Sequence, residues 1–345
     1  NPEQSHGGVV PLVFAIHCFG CPPTAMRHWQ NVGEEFNFAV VIPTGIQKSW
    51  NAKYCCGYAL ENQVDDVGFL HTIITNLDDQ YSFVSADVTY AVGWSNGGYM
   101  VTYASKLFRS IAPISGYQYD DLLEISNGQP RGIFMHHSSN DPAVQITGCC
   151  TDSSMPKCCC GISNKAQQCA SITSIFERWA TEVNQCSPNT TEISLVDDTP
   201  TNQVQCVTAM GTDCLANTTL CVYQDKGHFN KQSFEAAFPM TANVADFFAK
   251  DACSLHDGTW SSTTKNCSCT SEDDNPLFFC LEKGITTTHT SVNKHLQTND
   301  LGDTNSIGTI MGTVCFFLLG FIIVVKSKSK YTGWKRVPTD DVRSE

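Results

Sequence analysis

The chain has 345 residues, 41% of them hydrophobic and 16% charged, with a formal net charge of −13. That acidic balance argues against nucleic acid as a partner of the folded body. Nineteen cysteines far exceed ordinary usage and point to an oxidising compartment.

Pro11-Leu12-Val13-Phe14-Ala15-Ile16 is a continuous apolar run, suited to a strand buried on both faces of a parallel sheet. It ends in His17-Cys18-Phe19-Gly20-Cys21-Pro22-Pro23, a loop rich in turn residues. Further on, Val67, Leu70, Ile74 and Leu77 recur at helical spacing and predict a helix over 66–77 covering one sheet face. Asp65 and Asp66 at its start read as cap and dipole partners rather than as a metal or acid–base pair.

Residues 87–92, D-V-T-Y-A-V, are β-branched and aromatic, as a buried strand should be. Gly93-Trp94-Ser95-Asn96-Gly97 follows, and Tyr99 to Phe108 carries apolar residues at helical spacing. Strand, glycine-flanked turn and helix form the context that makes G-x-S-x-G a nucleophile elbow. Such a turn holds the Ser95 hydroxyl clear of the sheet and aims the Asn96 amide at an incoming acyl oxygen. The second oxyanion donor is expected from the loop after the first strand, at the amide of Phe19.

Residues 132–137, G-I-F-M-H-H, predict another strand, with Asp141 presented in the loop after it and Pro142 barring continuation. A cysteine-rich insertion spans 149–169, where a lid would project near the site. Ile172, Ile175, Phe176, Trp179 and Val183 make a second amphipathic helix. Thr219-Leu220-Cys221-Val222-Tyr223 reads as a strand, and His228 sits just past Gly227 in the loop beyond it. The order Ser95, Asp141, His228 is that of serine hydrolases built on a parallel sheet. His228 is expected to take and return the serine proton while Asp141 fixes its tautomer. His136 and His137 close a buried strand, and packing or hydrogen bonding is their expected role.

A last helix is predicted over 241–250, with Val244, Phe247 and Phe248 inward. Residues 251–306 are rich in Ser, Thr, Asn and Asp with four cysteines, which suggests a small stapled knob and a polar stalk. The stretch that starts at Ile307 and closes at Val325 is nineteen residues without a charge, long enough to cross a hydrocarbon core. Lys326, Lys328, Lys330, Lys335 and Arg336 follow, so the positive-inside rule puts the tail 326–345 in the cytosol and the body outside. Asn189, Asn217 and Asn266 head N-glycosylation sequons on the same side of that span. The organisation expected is thus a hydrolase domain over 1–250, a stalk over 251–306, a membrane helix over 307–325 and a short tail.

The chain resembles the secreted α/β-hydrolase esterases grouped with polyhydroxybutyrate depolymerases and feruloyl esterases. The matching pieces are the P-L-V-F-A-I-H run ending at His17, Ser49-Trp50-Asn51-Ala52 and Cys55-Cys56-Gly57. Val64-Asp65-Asp66-Val67-Gly68-Phe69-Leu70 and the S-N-G-G elbow come next, then Asn140-Asp141-Pro142, Trp179-Ala180 and Gly227-His228. The resemblance covers about residues 10–250. It implies an α/β-hydrolase with a mostly parallel central sheet flanked by helices, a Ser95–Asp141–His228 triad and no cofactor or metal. It also implies an ester substrate, feruloylated or acetylated polysaccharide or polyester. Cys18 stands where such families carry glycine, and Phe229-Asn230 replaces their Trp-Pro. Relatives have one or two strands before the first run, so a truncated or processed N-terminus is expected.

Zinc sites prefer C-x₂₋₄-C pairs, and only Cys18-x-x-Cys21 fits that spacing well. Adjacent cysteines do not readily chelate one ion together, so disulfides are expected instead. Cys18 or Cys21 is expected to be tied to Cys55 or Cys56, bracing the oxyanion loop. The alternative to an esterase is a catalytically silent hydrolase fold serving as a surface receptor or adhesion module.

Overall fold

The computed structural model describes residues 9–148, 170–187, 191–192, 203–209, 213–228, 230–255, 257–268 and 322–323. The cysteine-rich insertion 149–169, Asn189, Phe229, most of the expected stalk and nearly all of the expected span and tail lie outside the described residues.

The chain opens with β1 (Val10–Ile16), then α1 (Trp29–Phe36), β2 (Ala39–Val41), α2 (Gly57–Glu61) and α3 (Asp66–Gln80). The long β3 (Val84–Trp94) runs into α4 (Asn96–Tyr103), followed by β4 (Ser110–Ile114), α5 (Leu122–Ile125) and β5 (Gly132–Ser138). Next come α6 (Ile172–Arg178), β6 (Thr191–Glu192), β7 (Val204–Ala209) and β8 (Thr218–Tyr223). The last described elements are α7 (Lys231–Ala237), α8 (Met240–Ser254), the hairpin of β9 (Thr259–Ser261) and β10 (Asn266–Ser268), and β11 (Ile322–Ile323).

Nine strands form one sheet in the order β11-β2-β1-β3-β4-β5-β8-β7-β6. The six from β2 to β8 are parallel, and β7 and β6 add an antiparallel margin. Side chains of β1 alternate between two cores, which explains its unbroken apolar run. Leu12, Phe14 and Ile16 meet Leu70, Ile74 and Leu77 of α3. Val13 and Ala15 face the other way, toward Trp29 and Phe36 of α1 and Val244 and Phe248 of α8. With strand, sharp turn and helix at Ser95, this is an α/β-hydrolase fold.

Several element boundaries differ from expectation. The helix after the elbow begins at Asn96 and ends at Tyr103, and Ser105–Leu107 form a separate 3₁₀ turn. The helix expected over 172–183 is α-helical to Arg178 and continues as a π turn over Trp179–Val183. Phe247 is half-buried, and its ring meets Phe134 edge-on at 5.5 Å. Helix α8 runs on to Ser254, and a Cys253–Cys267 disulfide staples the β9–β10 hairpin to it. Trp260 of that hairpin stacks on Phe36 of α1 and donates its indole N–H to Asp246. Residues 251–268 therefore pack onto the domain. Of the expected membrane span only Ile322 and Ile323 are described; they are extended and pair in parallel with Val40 and Val41. Among the described residues, no helix is long and apolar enough to cross a membrane.

Of the two acids read as cap and dipole partners at the start of α3, one caps the helix and the other faces inward. Asp65 is the cap, accepting the Gly68 amide at 2.8 Å. Asp66 turns inward, is buried, and accepts the Asn51 amide at 2.6 Å. Burial pushes its carboxyl up to about 7, against the Asn51 bond, with the charge of Asp65 adding to the rise. A carboxyl that holds its proton longer when folded than when unfolded costs stability as pH rises from about 4 to about 7. The loss is on the order of a few kcal/mol and persists above that window. Asp66→Asn keeps an oxygen for the Asn51 amide, so its melting temperature should match wild type near pH 4 and exceed it by several degrees at pH 8. Parallel melting curves across that range check this.

Candidate active site

The candidate residues stand on loops leaving the C-terminal ends of parallel strands, where open α/β sheets bind ligands. Phe19 follows β1, Ser95 follows β3, Asp141 follows β5 and His228 follows β8.

Ser95 has φ 56° and ψ −117°, a sparsely populated conformation that costs on the order of 1–3 kcal/mol. The turn is held by bonds on both sides: the Ser95 amide donates to Ile114 O at 2.8 Å, and its carbonyl accepts Tyr99 N at 2.9 Å. Helix α4 then crosses so close to β1 that a Cβ on Gly97 would strike the carbonyl oxygens of Ile16 and His17.

Ser95 Oγ lies 2.8 Å from His228 Nε2, and His228 Nδ1 lies 2.7 Å from Asp141 Oδ2. Residues separated by more than 130 positions are thus joined in one hydrogen-bonded chain. Asp141 is buried, and its Oδ1 accepts the Ala143 and Val144 amides, each at 2.8 Å. Burial alone would raise its carboxyl, but the His228 hydrogen bond and charge, the Val144 amide and His137 outweigh it, and the group sits below the usual carboxylate range. An ionised Asp141 only accepts, so it selects the tautomer with the proton on Nδ1 and leaves the Nε2 lone pair toward the serine hydroxyl.

Asn96 opens α4, so its amide has no carbonyl one turn below it in the helix. The Asn96 side chain has a second role that G-x-S-x-G does not reveal. Fully buried, it accepts Trp50 N at 2.8 Å and donates to Trp50 O at 3.0 Å and Cys55 O at 2.9 Å. Phe19 is 53% exposed, and its ring lies against Gly57. In its loop the amides that donate inward are those of Gly20, to Lys48 O at 2.8 Å, and Cys21, to Cys18 O at 3.2 Å. His17 braces the base of this loop: Nδ1 donates to Cys18 O at 2.9 Å and Nε2 accepts Gly45 N at 3.0 Å. Burial lowers the His17 pKa despite the Cys18 bond, in keeping with a neutral ring.

The disulfides correct the expected connectivity. Cys18 pairs with Cys21 and Cys55 with Cys56, so each pair closes on itself. A three-residue spacing brings the Cys18 and Cys21 Cα atoms within 5.2 Å, inside bonding reach. The two segments still meet, through the Phe19 ring on Gly57. Cys186–Cys214 and Cys206–Cys221 complete the five disulfides among the described residues with Cys253–Cys267.

His136 and His137 are fully buried on β5. His136 Nδ1 is 2.9 Å from the Tyr223 hydroxyl, and His137 Nε2 donates to Val144 O at 2.8 Å. Burial pushes His136 down to about 3 and His137 to about 4, the latter against the charge of Asp141. Trp94 is a site residue the sequence reading passed over: its indole N–H donates to the His228 carbonyl at 3.0 Å. Asn217 is exposed and Asn266 half-buried. Among the described residues, no group of three or more His, Cys, Asp or Glu could hold a metal ion.

No family model matches the chain, and no curated protein matches it in sequence. Solved structures similar to it include Arabidopsis thaliana SOBER1, at 10% identity over 70% of this chain and 99% of that one, with a TM-score of 0.38. A phospholipase/carboxylesterase from Dyadobacter fermentans matches at 12% identity over 67% of this chain and 89% of that one, also at 0.38. A thermostable esterase matches at 18% identity over 42% of each chain, at 0.27. At such scores the fold assignment rests on strand order and elbow geometry.

The Asn96 carboxamide yields a directional test. In Asn96→Asp an acceptor replaces the donor that faces Trp50 O and Cys55 O, and an ionised carboxylate there is repelled by both carbonyls. The variant should lose about 2–4 kcal/mol of unfolding free energy at pH 8 and less at pH 5. Urea titrations at the two pH values measure it.

Proposed function

We propose that this chain is a serine esterase that cleaves carboxylic esters through an acyl-Ser95 intermediate. The observation that carries the reading is the continuous chain from Ser95 Oγ through His228 to a buried Asp141, at 2.8 and 2.7 Å. In the first half-reaction Ser95 Oγ attacks the ester carbonyl carbon while His228 Nε2 takes its proton. The negative charge that develops on the carbonyl oxygen is met by the amides of Asn96 and Phe19, each worth roughly 2.7–4 kcal/mol in comparable sites. Collapse breaks the bond to the alcohol oxygen, which leaves with the proton held on Nε2. In the second half water gives a proton to Nε2, attacks the acyl carbon and releases the acid, returning hydrogen to Ser95 Oγ. Asp141 holds the imidazole and stabilises its charged form throughout.

The substrates we favour are feruloyl or acetyl esters on polysaccharide, or polyesters. Phe19 and Tyr58 support this choice, since both are exposed and the Phe19 ring rests on Gly57, next in sequence to Tyr58. An apolar acyl group has aromatic surface to lie on there. We further place the enzyme on the outer or lumenal side of a membrane. Five disulfides among the described residues favour an oxidising compartment, and the uncharged stretch 307–325 followed by lysines favours a single anchor.

A fluorophosphonate probe should label the purified protein, and labelling should vanish in Ser95→Ala while the melting temperature holds. Hydrolysis of p-nitrophenyl esters should fall by at least about 10³-fold in the same variant. An intact fold that takes no label would favour the receptor reading instead. In cells, the protein should resist carbonate extraction and lose mass on enzymatic deglycosylation; recovery in the soluble fraction would remove the anchor.

A further inference from the structure

The acid and base loops leave neighbouring parallel strands side by side, since β5 and β8 are in register with Ser138 opposite Tyr223. The backbone ladder between them ends one residue on, where Ser139 N donates to Tyr223 O at 2.8 Å, two residues before Asp141 and five before His228. Around that point three consecutive amides of the base loop donate to three side chains at the end of β5 and in the acid loop. Asp225 N bonds Ser139 Oγ at 3.1 Å, Lys226 N bonds Ser138 Oγ at 2.8 Å and Gly227 N bonds Asn140 Oδ1 at 2.9 Å. Ser138 Oγ in turn donates to Asn140 Oδ1 at 3.0 Å.

Asn140 precedes Asp141 and Gly227 precedes His228, so the Asn140–Gly227 bond joins the two reacting loops one residue from each functional side chain. We propose that Asn140 is a positioning residue, whose carboxamide oxygen sets the alignment of the His228 ring against Asp141. The proposal rests on the reading of Ser95, Asp141 and His228 as the reacting groups. Asn140 is exposed and lies outside both cores, so removing its side chain leaves the packing of the domain unchanged. What it loses is orientation, and a displacement of an ångström in a reacting group costs as much as about 10²-fold in rate. Both contacts use the oxygen as an acceptor. Aspartate offers the same oxygen and alanine does not.

The test uses the full-length protein with p-nitrophenyl acetate, in Asn140→Ala and Asn140→Asp. Asn140→Ala should lower kcat by about tenfold with KM within about twofold, and its melting temperature should stay within about 2 °C of wild type. Asn140→Asp should restore kcat to within about threefold. The low-field proton resonance of His228 Nδ1–H offers a readout that needs no turnover. It should broaden or vanish in Asn140→Ala through faster exchange, and return in Asn140→Asp. If the protein hydrolyses no ester, the esterase reading fails, and the resonance alone still decides whether the clamp orders the ring. The proposal is overturned if Asn140→Ala keeps both kcat and the resonance. It is equally overturned if Asn140→Asp is as impaired as Asn140→Ala.

Discussion

Helix α4 meets β1 at Gly97, and the site is built around that approach. A side chain at this position would collide with the last two carbonyls of the strand, at Ile16 and His17. Its absence lets the start of the helix sit directly beside the loop that carries Phe19. The same geometry forces Ser95 into a strained backbone conformation, because the chain must reverse from strand to helix within one residue. That strain persists only because the surroundings over-determine it. The Ile114 carbonyl and the first turn of α4 supply the restraint.

Once the elbow is fixed, amide side chains carry position from loop to loop. The Asn96 carboxamide makes three bonds to the Trp50–Cys55 segment, so the residue after the nucleophile is tied to the floor of the neighbouring loop. Trp50 also donates its indole N–H to the His17 carbonyl at 3.0 Å, which links that floor to the end of β1. Trp94, one residue before the nucleophile, reaches across to hold the His228 carbonyl. The loops around Ser95 are therefore cross-braced by polar groups that a hydrophobic pattern does not reveal. Buried polar networks of this kind, fully satisfied, specify one arrangement.

The parts of the fold that were legible in the sequence are those governed by periodicity. β1 shows as an apolar run because both its faces are buried, and α3 shows through Leu70, Ile74 and Leu77 on one side. The elbow shows because its glycines are required by close contacts. β2 has only three residues, too few to display a pattern. β4 contains Pro113, which lacks an N–H and normally argues against a central strand. It is nevertheless flanked by β3 and β5, with Pro113 opposite Gly93. Asp66 read as a solvated partner of the helix dipole because burial cannot be read from a position at a helix start. Cysteine pairing was illegible for another reason: four cysteines allow three connectivities, and sequence spacing alone does not choose among them.

How those pairs close bears on what they do. Closing a loop lowers the entropy of the unfolded chain by an amount that grows with the number of residues enclosed. Cys186–Cys214, Cys206–Cys221 and Cys253–Cys267 enclose separations of 28, 15 and 14 residues, worth on the order of 3 kcal/mol each on that argument. Cys18–Cys21 and Cys55–Cys56, at separations of 3 and 1, contribute least. Of the three wide closures, Cys206–Cys221 joins β7 to β8, Cys186–Cys214 ties the segment after α6 to the turn between those strands, and Cys253–Cys267 lies at the end of α8. The two narrow ones flank the elbow, one around Phe19 and the other beside the carbonyl that Asn96 holds. The narrow pair thus restrains local backbone shape beside the elbow, and global stability falls to the wide closures and the two cores.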